Sequence, residues 1–142
     1  MKVKECMTRD TITVTEDESA AAAARIMARH NVGALPVRGP QGSLRGIVTD
    51  RDLVLRCVAA GEDPALVPVG KIMTSRLATA SPEESVFTAA ERMAREQVRR
   101  LPVVENGRLV GLVSLGDVSR QQDYSMEAAA ALTEISSNVK KW

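Results

Sequence analysis

Apolar residues recur along the chain with two different periods, and the same succession of periods occurs twice. Ala20, Ala23, Ala24 and Met27 fall at helical spacing in the first half, as do Val86, Ala90 and Met93 in the second. A short β segment at residues 11–14 precedes the first of these stretches and leads to Thr15. Thr15 and Glu18 have the spacing of a capping box, repeated by Ser81 and Glu84 with Pro82 at the first helical position. Two apolar strands follow in each half. Leu35-Pro36-Val37-Arg38 turns through Gly39 to Gly42 into the strand 44–49; Leu101-Pro102-Val103-Val104 turns through Asn106-Gly107 into the strand 109–114. A short helix then starts near Asp50 or Leu115, the first running through Leu53, Val54 and Val58 to a stop at Gly61. The predicted order is β-α-β-β-α, twice.

The two copies are related residue by residue. Residues 3–54 lie over 69–119 with a single one-residue gap and a period of about 66. Cys6-Met7-Thr8 matches Ile72-Met73-Thr74, Met27-Ala28-Arg29 matches Met93-Ala94-Arg95, and Gly46-Ile47-Val48-Thr49 matches Gly111-Leu112-Val113-Ser114. We expect a first domain at 1–61, a linker at 62–68 containing Pro64 and Pro68, a second domain at 69–120 and a C-terminal helical extension at 121–142. In the extension, Met126, Ala129, Ala130 and Leu132 form an Ala-rich helical pattern over 126–139, with Lys140 and Lys141 where cations favour the helix dipole. One copy is too small for a strong core, so a mixed α/β (α+β) fold is expected in which the repeats pack as a pseudo-twofold pair.

Composition narrows the function. The 142 residues are 44% hydrophobic and 26% charged, with Phe87, Tyr124 and Trp142 as the only aromatics and a formal net charge of +1. Such a chain has neither the basic field nor the stacking platforms that nucleic acid needs, so no nucleic-acid partner is expected. No apolar run reaches the ~18 residues of a membrane span, and the polar start Met1-Lys2-Val3-Lys4-Glu5 is unlike a signal peptide. A cytoplasmic protein without a membrane partner is the expectation. Cys6 and Cys57 lack metal-ligand spacing and are expected to be reduced. His30 stands alone at a helix end, and the six methionines read as gap-fillers in an aromatic-poor core. Without a nucleophile–base pair, a metal cluster or a Walker-type loop, the chain does not read as an enzyme.

The sharpest motif is Gly-x-Val-[Thr/Ser]-x-x-Asp, at 46–52 and again at 111–117, where a strand ends and a helix begins. A hydroxyl beside free helix N–H groups can hold a phosphate. An Asp three residues on can accept from a ribose diol. The competing reading is a second pair of capping boxes, Thr49 with Asp52 and Ser114 with Asp117.

These motifs, with Met-Thr at 7–8 and 73–74, Gly33-Ala34-Leu35-Pro36-Val37 and Arg99-Arg100-Leu101-Pro102-Val103, resemble the CBS domain family. A tandem pair of such domains is called a Bateman module, and the resemblance covers about 120 residues of the chain. It implies a non-enzymatic regulatory module that binds an adenine nucleotide between the repeats, with AMP, ADP, ATP or S-adenosylmethionine as regulatory ligand and no required cofactor. One implied cleft joins Thr8, Ile12, Gly33, Ala34 and Pro36 to Ser114, Gly116 and Asp117. The other joins Thr74, Ala78, Arg99, Arg100 and Pro102 to Thr49, Arg51 and Asp52. Arg100 falls where basic family members place a phosphate-contacting arginine, and Arg51 adds a second positive charge, which favours the second cleft for a nucleotide. The resemblance also implies a homodimer that signals to an unidentified effector protein. The alternative is a dimeric interaction scaffold with vestigial, ligand-free clefts.

Overall fold

The computed structural model describes residues 1–121 and 125–136. They form two compact units: Ile12–Leu77, and Met1–Thr11 together with the chain from Ala78 onward. The compact units are therefore offset from the sequence repeats. Each takes the body of one repeat and the opening segment of the other.

In the Ile12–Leu77 unit, β1 (Val14–Thr15) runs parallel to β2 (Ala34–Arg38), which pairs antiparallel with β3 (Leu44–Thr49). Helix α1 (Ala20–His30) lays Ala20, Ala23 and Met27 into a core with Leu35, Val37 and Val48. Ala24, expected on that face, is exposed. The expected strand at 11–14 is displaced to Val14–Thr15, which pairs with Val37 and Arg38 of β2. The capping box also shifts. Glu18 Oε1 accepts from the Thr15 N–H at 3.2 Å and closes a turn. The helix starts later, with Ser19 Oγ accepting from Ala22 N–H at 3.0 Å.

After β3 come α2 (Asp50–Asp52) and a wider i→i+5 helical stretch over Leu53–Val58, which ends toward Gly61 at φ +74°. Residues 62–68, expected as a linker, are partly built into this unit: Val67 is buried, and its carbonyl accepts from Ala20 N–H at 2.8 Å. Helix α3 (Val69–Ile72) buries Val69 and Ile72, and Thr74 then bridges to Ile47 of β3 through two 2.9 Å bonds.

The second unit repeats this plan. Helix α4 (Val86–Glu96) buries Val86, Ala89, Ala90, Met93 and Ala94, and Ser85 rather than Ser81 caps it. Strands β4 (Arg100–Glu105) and β5 (Arg108–Ser114) join through Asn106-Gly107, both at positive φ, the hairpin turn the sequence predicts. Ala80 bridges in parallel to Val103, in the place that β1 takes beside β2. Helix α5 (Leu115–Ser119) follows, and α6 (Ser125–Ser136) packs Ala128 and Ala131 into the same core. The rest of the helix expected over 126–139, with Lys140 and Lys141, lies outside the described residues.

The opening segment Met1–Thr11 enters this second unit as α3 and Thr74 enter the first. Val3 N–H donates to Glu84 O and Lys4 N–H to Pro82 O; correspondingly, Val69 N–H donates to Glu18 O and Gly70 N–H to Glu16 O. Thr8 bridges to Leu112 of β5 through two 2.9 Å bonds, as Thr74 does to Ile47. This close approach explains the motif glycines. A Cβ on Gly46 would lie 2.7 Å from Thr74 O, and one on Gly111 would lie 2.8 Å from Thr8 O.

Candidate functional site

Both strand-to-helix turns carry the complete capping box. Thr49 Oγ1 accepts from Asp52 N–H at 3.1 Å, while Asp52 Oδ2 accepts from Thr49 N–H at 2.9 Å. Ser114 Oγ accepts from Asp117 N–H at 3.1 Å, while Asp117 Oδ2 accepts from Ser114 N–H at 2.8 Å. Both carboxylates are buried, and each turns its other oxygen to an arginine. Arg56 Nε stands 3.7 Å from Asp52 Oδ1, and Arg120 bonds Asp117 Oδ1. The capping reading is therefore realised, yet it does not exhaust these groups. A hydroxyl that accepts one bond keeps its own hydrogen to donate, and an ionised carboxylate has about four acceptor positions.

The residues beside the two turns differ. In the unit that contains α5, Arg100 lies directly across from Ser114, and Leu115 N–H donates to Arg99 O at 2.7 Å. Arg99, Arg100, Ser114, Leu115, Gly116 and Ser119 line a groove of about 500 Å³, walled on its far side by Ala128, Ala129 and Leu132 of α6. Neither Arg99 nor Arg100 has a side-chain hydrogen bond or ion pair among the described residues. In the Ile12–Leu77 unit the same register places Ala34 across from Thr49, and Asp50 N–H donates to Gly33 O at 2.9 Å. Its hollow is smaller, about 310 Å³, and is lined by Asp50, Arg51, Val54 and Leu55. Asp50 brings a carboxylate here: its Oδ2 would lie 2.9 Å from a Cβ on Gly33.

The described contacts thus group the predicted residues by unit. Arg99 and Arg100, assigned to a cleft with Thr49, stand beside Ser114 and Gly116; Gly33 and Ala34, assigned to a cleft with Ser114, stand beside Thr49 and Asp50. Thr8, Ala78, Pro102 and Asp117 belong to the unit of the two arginines, and Ile12, Pro36, Arg51, Asp52 and Thr74 to the other. Pro36 and Pro102 are buried. Sequence reasoning missed Leu115, Ser119 and the α6 wall as groove residues. The Ala-rich period of 126–139 marks a helix, but nothing in it tells which surface the helix covers.

Among the described residues, no three His, Cys, Asp or Glu side chains come together as a metal site. No described helix is long and apolar enough to cross a membrane. Both cysteines are free thiols. Burial, and then the negative charge of Asp117, pushes the half-buried Cys6 thiol above its ordinary pKa, which makes it less reactive.

A duplicated β-α-β-β-α unit with a capped strand-to-helix turn in each copy defines a tandem-repeat module. The CBS domain family matches residues 3–58 and 69–123, and the chain belongs to that family. The chain is 43% identical over 134 residues to the CBS domain-containing protein YhcV of Bacillus subtilis, covering 94% of each. It is 36% identical over 117 residues to hypoxic response protein 1 of Mycobacterium tuberculosis, covering 82% of each. A crystal structure of Hypoxic Response Protein I with two coordinated zinc ions superposes with a TM-score of 0.79 at 35% identity, covering 85% of this chain and 98% of that one. The CBS domain pair of protein MJ0100, in complex with 5′-methylthioadenosine and S-adenosyl-L-methionine, superposes with a TM-score of 0.76 at 31% identity, covering 87% of this chain and 96% of that one.

Proposed function

We propose that the chain is a non-catalytic sensor module whose ligand is a phosphorylated adenosine, AMP, ADP or ATP, held in the groove of Arg99, Arg100 and Ser114. The observation that carries this reading is the pair of guanidinium groups without side-chain partners among the described residues at a groove of about 500 Å³. That volume lies in the range of small-molecule sites. Guanidinium groups match phosphate in geometry and charge. The Ser114 hydroxyl has a hydrogen to donate, Asp117 has acceptor capacity for the ribose, and Leu132 with Ala129 gives the base an apolar wall. The relative MJ0100 binds adenosine compounds without phosphate. The arginine pair argues for a different choice here, because the sulfonium of S-adenosylmethionine adds positive charge beside two cations. In this reading the protein is a cytoplasmic homodimer that passes its signal to a separate effector. The exposed Val54, Leu55 and Val58 support an association face, and light scattering at micromolar concentration should report twice the chain mass. A clean monomer would remove the dimer from the reading.

Calorimetric titration tests the ligand. AMP or ATP should bind more tightly than 5′-methylthioadenosine or S-adenosylmethionine. The Arg99→Ala/Arg100→Ala variant should lose about tenfold or more, since a hydrogen bond to a charged group contributes roughly 1.5–3 kcal/mol and ~1.4 kcal/mol is tenfold. Thr49→Ala, in the other unit, should leave that affinity in place. Undetectable binding of AMP and ATP at millimolar concentration to ligand-stripped protein would favour the scaffold reading instead.

A further inference from the structure

Each motif aspartate has an arginine on the helical stretch that follows it, and the two arginines are held differently. Arg56 stands four residues after Asp52, with its Nε 3.7 Å from Asp52 Oδ1. Its Nη1 also donates to Ile72 O at 3.1 Å and to Met73 O at 3.2 Å. Two backbone carbonyls therefore anchor this guanidinium whether or not the carboxylate is engaged. Arg120 stands three residues after Asp117, directly beyond α5. Its side chain points back along the helix, as helical side chains do, and bonds Asp117 Oδ1. That carboxylate is its one hydrogen-bonding or ionic partner among the described residues.

The two members of this pair differ in exposure. The Arg120 side chain is 69% exposed, that of Asp117 only 11%. Asp117 Oδ2 is already turned to Ser114 N–H, so Oδ1 is the oxygen left to meet a ligand, and Arg120 occupies it. The guanidinium also lies over Gly116, where a Cβ would stand 3.5 Å from Arg120 Nη1. Gly116 lines the groove of Arg99 and Arg100. An ion pair with one largely exposed partner is weak enough to be exchanged for another.

We propose that Arg120 sets the specificity of this groove: its guanidinium leaves Asp117 when a ligand's ribose arrives and pairs with the ligand's phosphate instead. This rests on the reading of the groove as a site for a phosphorylated adenosine. The ribose hydroxyls donate to Asp117 Oδ1 in place of the guanidinium, and Arg120 adds a third cation to Arg99 and Arg100. A nucleoside without phosphate also has to expel Arg120, but it leaves the guanidinium without a partner. Such a ligand bears the loss of the ion pair, whereas a nucleotide restores one. Arg120 thus selects twice, by covering the ribose acceptor and by holding the phosphate. Arg56, tied to two carbonyls, is held back from the same exchange at Asp52.

Calorimetric titration of adenosine and AMP into the full chain tests the exchange. Arg120→Ala should bind adenosine several-fold more tightly than wild type does, and AMP no more tightly. The ratio of the adenosine and AMP dissociation constants should then shrink about fivefold or more, which corresponds to ~1 kcal/mol. Arg120→Gln, neutral but longer, should behave in the same way and covers the case in which alanine perturbs α5. Arg120→Lys, which keeps a cation able to make either pair, should retain most of the wild-type ratio. A ratio unchanged in both neutral variants would overturn the proposal. So would weaker AMP binding with adenosine unmoved, which would make Arg120 a phosphate contact that never covered Asp117. In both cases AMP still binds wild type, and the reading of the groove stands. AMP that binds neither wild type nor the neutral variants would overturn that reading and the exchange with it.

Discussion

The two strand-to-helix turns of this protein share a scaffold and differ in charge. Around β3 and α2, the positions flanking the cap are Gly33, Ala34, Asp50 and Arg51; around β5 and α5, the matching positions are Arg99, Arg100, Leu115 and Gly116. The hydroxyl, the aspartate and the motif glycine are unchanged in role. Duplication therefore separates two kinds of residue within one motif. Those that hold the turn together are kept in both copies. Those that set the field above it have gone opposite ways, toward two arginines in one unit and toward a carboxylate beside a glycine in the other. A single copy would not allow that distinction, because the cap and the proposed ligand contact fall on the same hydroxyl.

The shared scaffold can be broken in matching places. Gly46→Ala and Gly111→Ala each set a Cβ within 3 Å of a backbone carbonyl, and of Met73 Sδ or Met7 Sδ as well. Overpacking of this kind costs about 1–3 kcal/mol. Loss of unfolded-state entropy offsets only about 0.4–1 kcal/mol, so the balance is destabilising. Each variant should melt several degrees below wild type, and the two losses should be similar. A large loss at one position and none at the other would show that the exchanged Met-Thr segments are not held alike.

Much of this was legible in the sequence because it is local. Alternating apolar strands, the Asn106-Gly107 turn and the Thr49/Asp52 and Ser114/Asp117 spacings each specify their own geometry. The positions that misled involve competition or distance. Thr15 and Ser81 carry the spacing of a helix cap, but Ser19 and Ser85, four residues later, take the role because the first box closes a turn instead. The exchange of opening segments leaves no local trace, since Thr8 meets Leu112 only in the folded chain. It also explains why a glycine stands at positions 46 and 111, which sequence spacing records without a reason. The grouping of Arg100 with Ser114 follows from strand register, which the repeat alignment alone does not supply.

A smaller effect distinguishes the two units by charge alone. The backbone holds both exchanged segments in the same way, but their ion pairs differ: in the Ile12–Leu77 unit Lys71 Nζ lies 3.6 Å from Glu62 Oε1, whereas in the other unit two lysines meet one carboxylate. Lys2 Nζ lies 2.7 Å and Lys4 Nζ 2.8 Å from the Glu83 carboxylate. The matching positions in the other unit are Pro68, Gly70 and Asp17, which cannot form such a pair. The hydrogen bond from Lys2, and then that from Lys4, pulls the Glu83 carboxyl from its ordinary 4.5 down to about 2. A carboxylate whose folded pKa is depressed stabilises the fold above its unfolded value and loses that contribution as pH falls through the folded one. The contribution should thus be complete above about pH 4.5 and fade toward pH 2. The side chains are half exposed, so the effect is small and screened by salt, whose Debye length is ~10 Å at 0.1 M. Glu83→Gln should lower the melting temperature slightly at neutral pH and low salt, less in high salt, and progressively less as the solution is acidified. Asp17→Asn, at the matching place, should show no such pH-dependent loss. A Glu83→Gln difference that stayed constant down to about pH 2 would show that the two lysines do not anchor the opening segment through this carboxylate.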